Sequence, residues 1–131
     1  MELPNEVNAN ESLARYLTHS NHYHVPTSSV KPKAFEPPAD LRLSVFRIDG
    51  LTIEDVWRIG QLKMINSMPQ PRTLHGVADI KASAVQDLNL TVDPDNNPLR
   101  HASIVGWPED KSERKSITQQ LAARAKLILR S

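Results

Sequence analysis

The stretch Leu41-Arg-Leu-Ser-Val-Phe-Arg-Ile48 decides how the chain folds. Leu41, Leu43 and Val45 alternate with polar residues before Phe46 and Ile48 make both faces apolar, which predicts a strand entering a core. Asp49-Gly50 marks a turn, and Thr52 just beyond it can cap a helix whose Ile53, Val56, Trp57, Gly60 and Met64 recur on one side. Asp55 adds the acid of a capping box, and Leu51 can staple onto Val56. So short a connection folds the helix back over its own strand, which places Trp57 against the strand carrying Val45. Pro69 and Pro71 cannot continue that helix.

Upstream, Asn10 can cap a helix in which Leu13, Tyr16 and Leu17 fall at i, i+3 and i+4. From His19 to Asp40, Pro26, Pro32, Pro37 and Pro38 forbid regular helix and push each preceding residue toward extended geometry. Val25, Val30 and Phe35 within this arm predict that it lies against its own domain or a partner. Downstream, Leu74 to Ile80 reads equally as a strand face or a helix start, and a short strand or turn near His75 followed by a helix over Lys81–Asn89 is expected. Asp93-Pro-Asp-Asn-Asn-Pro98 is dense turn chemistry that leads into a strand over Arg100–Trp107. Asp110 with Glu113 then opens a terminal helix lined by Ile117, Leu121, Ala125 and Ile128. These elements predict a small single α+β domain: a short sheet packed by two or three helices, with a long proline-rich N-terminal arm. Residues 1–40 form the helix and arm, and residues 41–131 the compact domain ending in an amphipathic basic helix.

Composition restricts the chemistry. The 131 residues are 39% hydrophobic and 24% charged, with no run near the ~18 apolar residues of a membrane span. An acidic, polar opening from Met1 to Asn10 lacks the pattern of a secretory leader, so a cytoplasmic protein is expected. Zero cysteines exclude disulfides, thiolate nucleophiles and thiol metal sites. Only 4 glycines occur, and the P-loop, the dinucleotide fingerprint and the G-x-S-x-G elbow are all absent, so no cofactor is expected. The net charge of +1 creates no strong field over the whole molecule. Its distribution is polarised, because residues 100–131 hold seven Lys/Arg against three Asp/Glu and residues 1–40 hold three against five.

Five histidines invite chemical readings. His22-Tyr-His24, with His19 nearby, has the spacing of two or three metal ligands, but the neighbouring acids are only Glu11 and Glu36, and loop histidines without metal are the expectation. Asp93-x-Asp95-x-Asn97 opens like a calcium loop and then fails, with Pro98 where glycine is required and Ile104 where glutamate is required. His101-Ala-Ser103 has the H-x-[ST] spacing that two-histidine phosphodiesterases use twice, yet His75 has no matching hydroxyl. More generally, His75 and His101 could serve as acid and base on a phosphate- or nucleotide-containing substrate, with Arg42, Arg47 or Arg100 clamping the anion. The competing account is a polar rim around apolar strands.

The terminal helix carries the stronger binding signal. At about 100° per residue Lys111, Lys115, Lys126 and Arg130 gather in one stripe, away from Ile117, Leu121 and Ile128. The leading expectation is therefore a small accessory module that binds a larger protein or nucleoprotein partner through this helix and the proline-rich arm, Phe35 included. Nucleic acid would be held by its backbone, since no base-reading motif occurs, and no membrane contact is expected. The small enzyme built on His75 and His101 is the alternative.

Overall fold

The computed structural model describes residues 6–66, 68–70 and 72–130. Residues 1–5, the start of the segment read as lacking a leader, and Pro71, read as a helix stop, lie outside them. The strands are β1 (Ser12–Leu17), β2 (Tyr23–His24), β3 (Ser29–Val30), β4 (Leu43–Arg47), β5 (Gly76–Lys81), β6 (Thr91–Pro94), β7 (His101–Val105) and β8 (Lys126–Leu129). The helices are α1 (Ile53–Ile59), α2 (Ala82–Asp87) and α3 (Lys111–Arg124). Six strands form one antiparallel sheet in the order β6-β7-β4-β1-β5-β8, and β2 pairs with β3 separately. The α+β class is as expected, and the sheet is larger than the short one anticipated.

Most of that enlargement comes from two segments read as helix. Ser12–Leu17 is a strand between β4 and β5, pairing Ala14 with Phe46 on one side and Asp79 on the other. Its Leu13, Ala14, Tyr16 and Leu17 are all buried, so apolar side chains cover both faces. A two-faced strand produces the same i, i+3, i+4 coincidence as a helix. At the other end α3 stops at Arg124, Ala125 turns extended, and Lys126–Leu129 becomes β8 on the edge of β5. Pairing with β5 satisfies backbone groups that an open sheet edge would leave exposed, which outweighs continuing the helix.

The sheet separates two cores. On one face Leu13, Leu17, Leu43, Val45, Ile80 and Ile104 pack with Phe35, Val85 and Leu121. On the other, Ala14, Tyr16, Phe46 and Val77 pack with Val56, Ile65 and Leu74. Thr52 caps α1 as expected, accepting from Asp55 N–H at 3.2 Å. The buried anchor of α1 is Val56, whereas Trp57 is half-buried and Val45 points into the opposite core. Trp57 thus does not pack on Val45: alternation sends Phe46, not Val45, toward α1. Beyond α1 the chain widens into a π-helical segment, Gly60–Ile65, whose first residue lies against the Tyr16 ring and Leu74. Leu74–Ile80 resolves as strand β5, entered at Gly76.

Candidate functional site

The proline-rich segment and the terminal helix, predicted separately, meet in space. Pro32–Phe35 forms a 3-10 turn with proline at its start, and its Ala34 and Phe35 are buried. That turn packs on α3. Between them lies a cavity of about 560 Å3 lined by Pro32, Lys33, Glu36 and Pro37 from one side and Lys111, Arg114, Lys115 and Thr118 from the other. Asp110 fixes the helix start, accepting from Ser112 N–H at 2.8 Å, and those bonds hold its carboxyl below the ordinary range. The Arg114 guanidinium donates to the carbonyls of Pro108 (2.8 Å) and Glu109 (2.5 Å), and its charge also acts on the Asp110 carboxylate at the helix start. Lys33 pairs with Glu36 at 3.1 Å in an exposed contact, a geometry worth little in water.

Lys33, Glu36 and Pro37 also wall a second cavity, of about 480 Å3, which includes Arg15, His19, His22 and Arg72. Arg15 donates from Nε to Ala34 O (2.8 Å) and from Nη1 to Ser44 O (3.0 Å), and desolvation lowers its pKa to about 10. Arg72 donates to His19 Nε2 at 2.5 Å, while the His19 and His22 rings meet edge to face at 5.2 Å. His22 is buried, its Nδ1 has no hydrogen-bond partner, and burial followed by the nearby charges of Arg15, His19, His75 and Lys33 lowers its pKa to about 4. Glu36 is the sole carboxylate lining either cavity among the described residues. The two cavities adjoin through their shared Lys33, Glu36 and Pro37, and cationic side chains outnumber the one carboxylate in both.

The other site candidates are dispersed. Phe35 is fully buried in the protein's own core, so it offers nothing to a partner. Lys126 and Arg130 leave the helical stripe because their segment is β8. Lys126 stands opposite Asp79, and Arg130 donates to Gln61 Oε1 at 3.1 Å. Arg47 is also buried, with Nε on Glu11 Oε1 at 2.5 Å and Nη2 on Glu11 Oε2 at 3.1 Å, so it cannot clamp a substrate. Arg100 is spent on the carbonyl of Arg47 at 3.0 Å. His75 meets Tyr23 Oη through Nδ1 at 2.9 Å. His101 lies on β7, with β4 and β1 between it and the strand that follows His75, a separation of about 14 Å across the sheet alone at ~4.8 Å per strand. The structure therefore does not bring His75 and His101 together. Nor do His19, His22 and His24 converge: His24 turns to Thr27 Oγ1 at 2.9 Å, and no three His, Asp or Glu side chains form a metal cluster among the described residues.

Two features escaped the sequence. Arg15 belongs to a segment read as helix and Arg72 to one given no element, and only the fold carries them to the groove. His101 has partners of its own, Ser44 Oγ at 2.5 Å from Nε2 and Asp95 Oδ1 at 2.8 Å from Nδ1. Comparison with protein-family models, curated proteins and solved structures found no match.

Proposed function

We propose that this protein is a small binding module that holds the phosphate backbone of a nucleic acid, within a nucleoprotein complex, in the groove between its proline-rich arm and the start of its terminal helix. The observation that carries this reading is the 560 Å3 cavity where Lys33, Lys111, Arg114 and Lys115 face a single carboxylate. Among the described residues Lys111 and Lys115 form no ion pair with a carboxylate, so contact with phosphate displaces no partner. The adjoining cavity extends the same charge past Arg72, giving a backbone more than one phosphate position to occupy. Nothing in the groove reads base edges, so binding is indifferent to sequence and sensitive to salt.

Fluorescence anisotropy with a labelled single-stranded oligonucleotide tests it. The parent protein is expected to bind at 50 mM salt, with the logarithm of affinity falling linearly against the logarithm of salt at about 0.7 per phosphate neutralised. Lys111→Ala with Lys115→Ala should flatten that slope and leave the melting temperature unchanged, while Arg130→Ala should change neither. Polyglutamate that displaced the oligonucleotide at equal charge would make an acidic protein the preferred partner instead.

A further inference from the structure

On the sheet face that carries Phe46, strands β4 and β7 set polar side chains beside the second core. Register places Ser44 opposite Ser103 and Phe46 opposite His101, so Ser44 and His101 are diagonal neighbours on one face. Asp95 reaches the same point from the loop after β6. That loop is tied down: Asp95 N–H and Asn96 N–H both donate to His101 O, at 3.2 and 3.0 Å, and His101 N–H donates to Pro98 O at 2.9 Å. Acid and base are held within one short closed loop, and the serine comes from the neighbouring strand.

The order of the bonds is what a solvent-facing polar patch does not account for. Burial works to raise the Asp95 carboxyl, but the hydrogen bonds from His101 and Asn97 N–H and the charges of His101 and Arg42 outweigh it and leave Asp95 below the usual carboxylate range. An ionised carboxylate only accepts, so the proton between Asp95 and His101 sits on Nδ1. In neutral His101 the Nε2 lone pair then faces Ser44, and Ser44 Oγ–H donates to it. Serine to Nε2 and Nδ1 to carboxylate is the wiring that polarises a serine hydroxyl for attack. The Phe46 ring, edge-on at 5.3 Å, fixes the imidazole plane. Arg42, held on Asp93 at 2.8 Å, is a cation bordering the same strands.

We propose that Ser44 is an activated nucleophile that takes an acyl group from a carboxylic ester, with His101 as its general base and Asp95 as the residue that positions His101. Ser44 Oγ bonds to the carbonyl carbon as its proton passes to His101 Nε2. The carbon–alkoxide bond then breaks, and the alkoxide leaves as alcohol with that proton. Water reverses the path, giving its proton to His101 while hydroxide attacks the acyl carbon. The carboxylic acid departs and Ser44 recovers its proton.

The test uses the full chain with a fluorophosphonate probe, in which the Ser44 Oγ–P bond forms and fluoride leaves, read by intact mass and peptide mapping, and with p-nitrophenyl acetate as ester. An adduct on Ser44 is expected, absent in Ser44→Ala and formed at least about tenfold more slowly in His101→Gln, with ester turnover falling in parallel. Asp95→Asn, at an exposed carboxylate, should keep the melting temperature, slow labelling, and reduce Nδ1 protonation of His101 in imidazole nitrogen NMR shifts. No adduct on Ser44, or labelling that His101→Gln slows less than about tenfold, overturns the proposal. An Asp95→Asn protein labelled at the parent rate removes Asp95 from it.

Discussion

Arg47 heads the large side chains that this fold hides almost completely, and its charge is tolerable because Glu11 meets it through two oxygens and the Glu6 carbonyl accepts from Nη2 at 3.2 Å. Removing one partner leaves the other ionised in a dry core. Arg47→Met is therefore expected to destabilise the protein by about 3–5 kcal/mol, a large share of the ~5–15 kcal/mol available to a domain, and chemical denaturation with a two-state fit measures it. A loss below about 1 kcal/mol would mean that water reaches Glu11. His22 makes a second prediction, about pH. Its folded pKa near 4 lies below the unfolded 6.5, so between those values the unfolded chain binds the extra proton and stability falls as pH is lowered. Melting temperatures should decline from pH 6.5 to 4, and His22→Gln should flatten that window. Asp95 and Asp110, whose folded values lie below 3.8, give up their contributions only at lower pH.

At the scale of elements, Gly76 is the position where β8 meets β5. A methyl group there would collide with the carbonyl of Ile128 and lie 3.0 Å from Leu129 Cα, backbone atoms that cannot swing aside. Gly76→Ala is expected to cost about 1–3 kcal/mol and to speed hydrogen exchange at Leu127–Leu129 while the β1–β4 amides stay protected. Unchanged exchange at β8 would refute that account of the edge. Trp57 is less critical than its size implies: Trp57→Ala should cost less than the ~3–5 kcal/mol of a fully buried aromatic, because Val56 is the anchor of α1. Strand β4, the Asp49-Gly50 turn, the Thr52 cap and strand β7 were legible in the sequence, since alternation and capping are local signals. Strand β1 was not, because a strand buried on both faces loses its alternation. Strand β8 was not, because its reason for leaving the helix is the open edge of β5, some fifty residues earlier in the chain.

Over the whole molecule, function is a matter of which distant segments the sheet brings together. The sequence marked the arm and Lys111 and Lys115, and the fold sets them on two sides of one groove. It also recruits Arg15, from a buried central strand, and Arg72, and it withdraws Phe35, Lys126 and Arg130. No local pattern encodes that exchange, because it follows from strand order. The Ser44, His101 and Asp95 set was hidden for the same reason: the three residues lie on two strands and a loop read only as a turn.

The measurement that bears most directly on the proposed anion-binding role of the groove is amide NMR of the full chain, titrated with a single-stranded oligonucleotide at low salt. The groove account predicts shifts that saturate together at residues 33–36 and 111–118 and at His19 and Arg72, and that reverse when salt is added. Shifts confined to α1 and β8, or an unchanged spectrum at 50 mM salt, would contradict it.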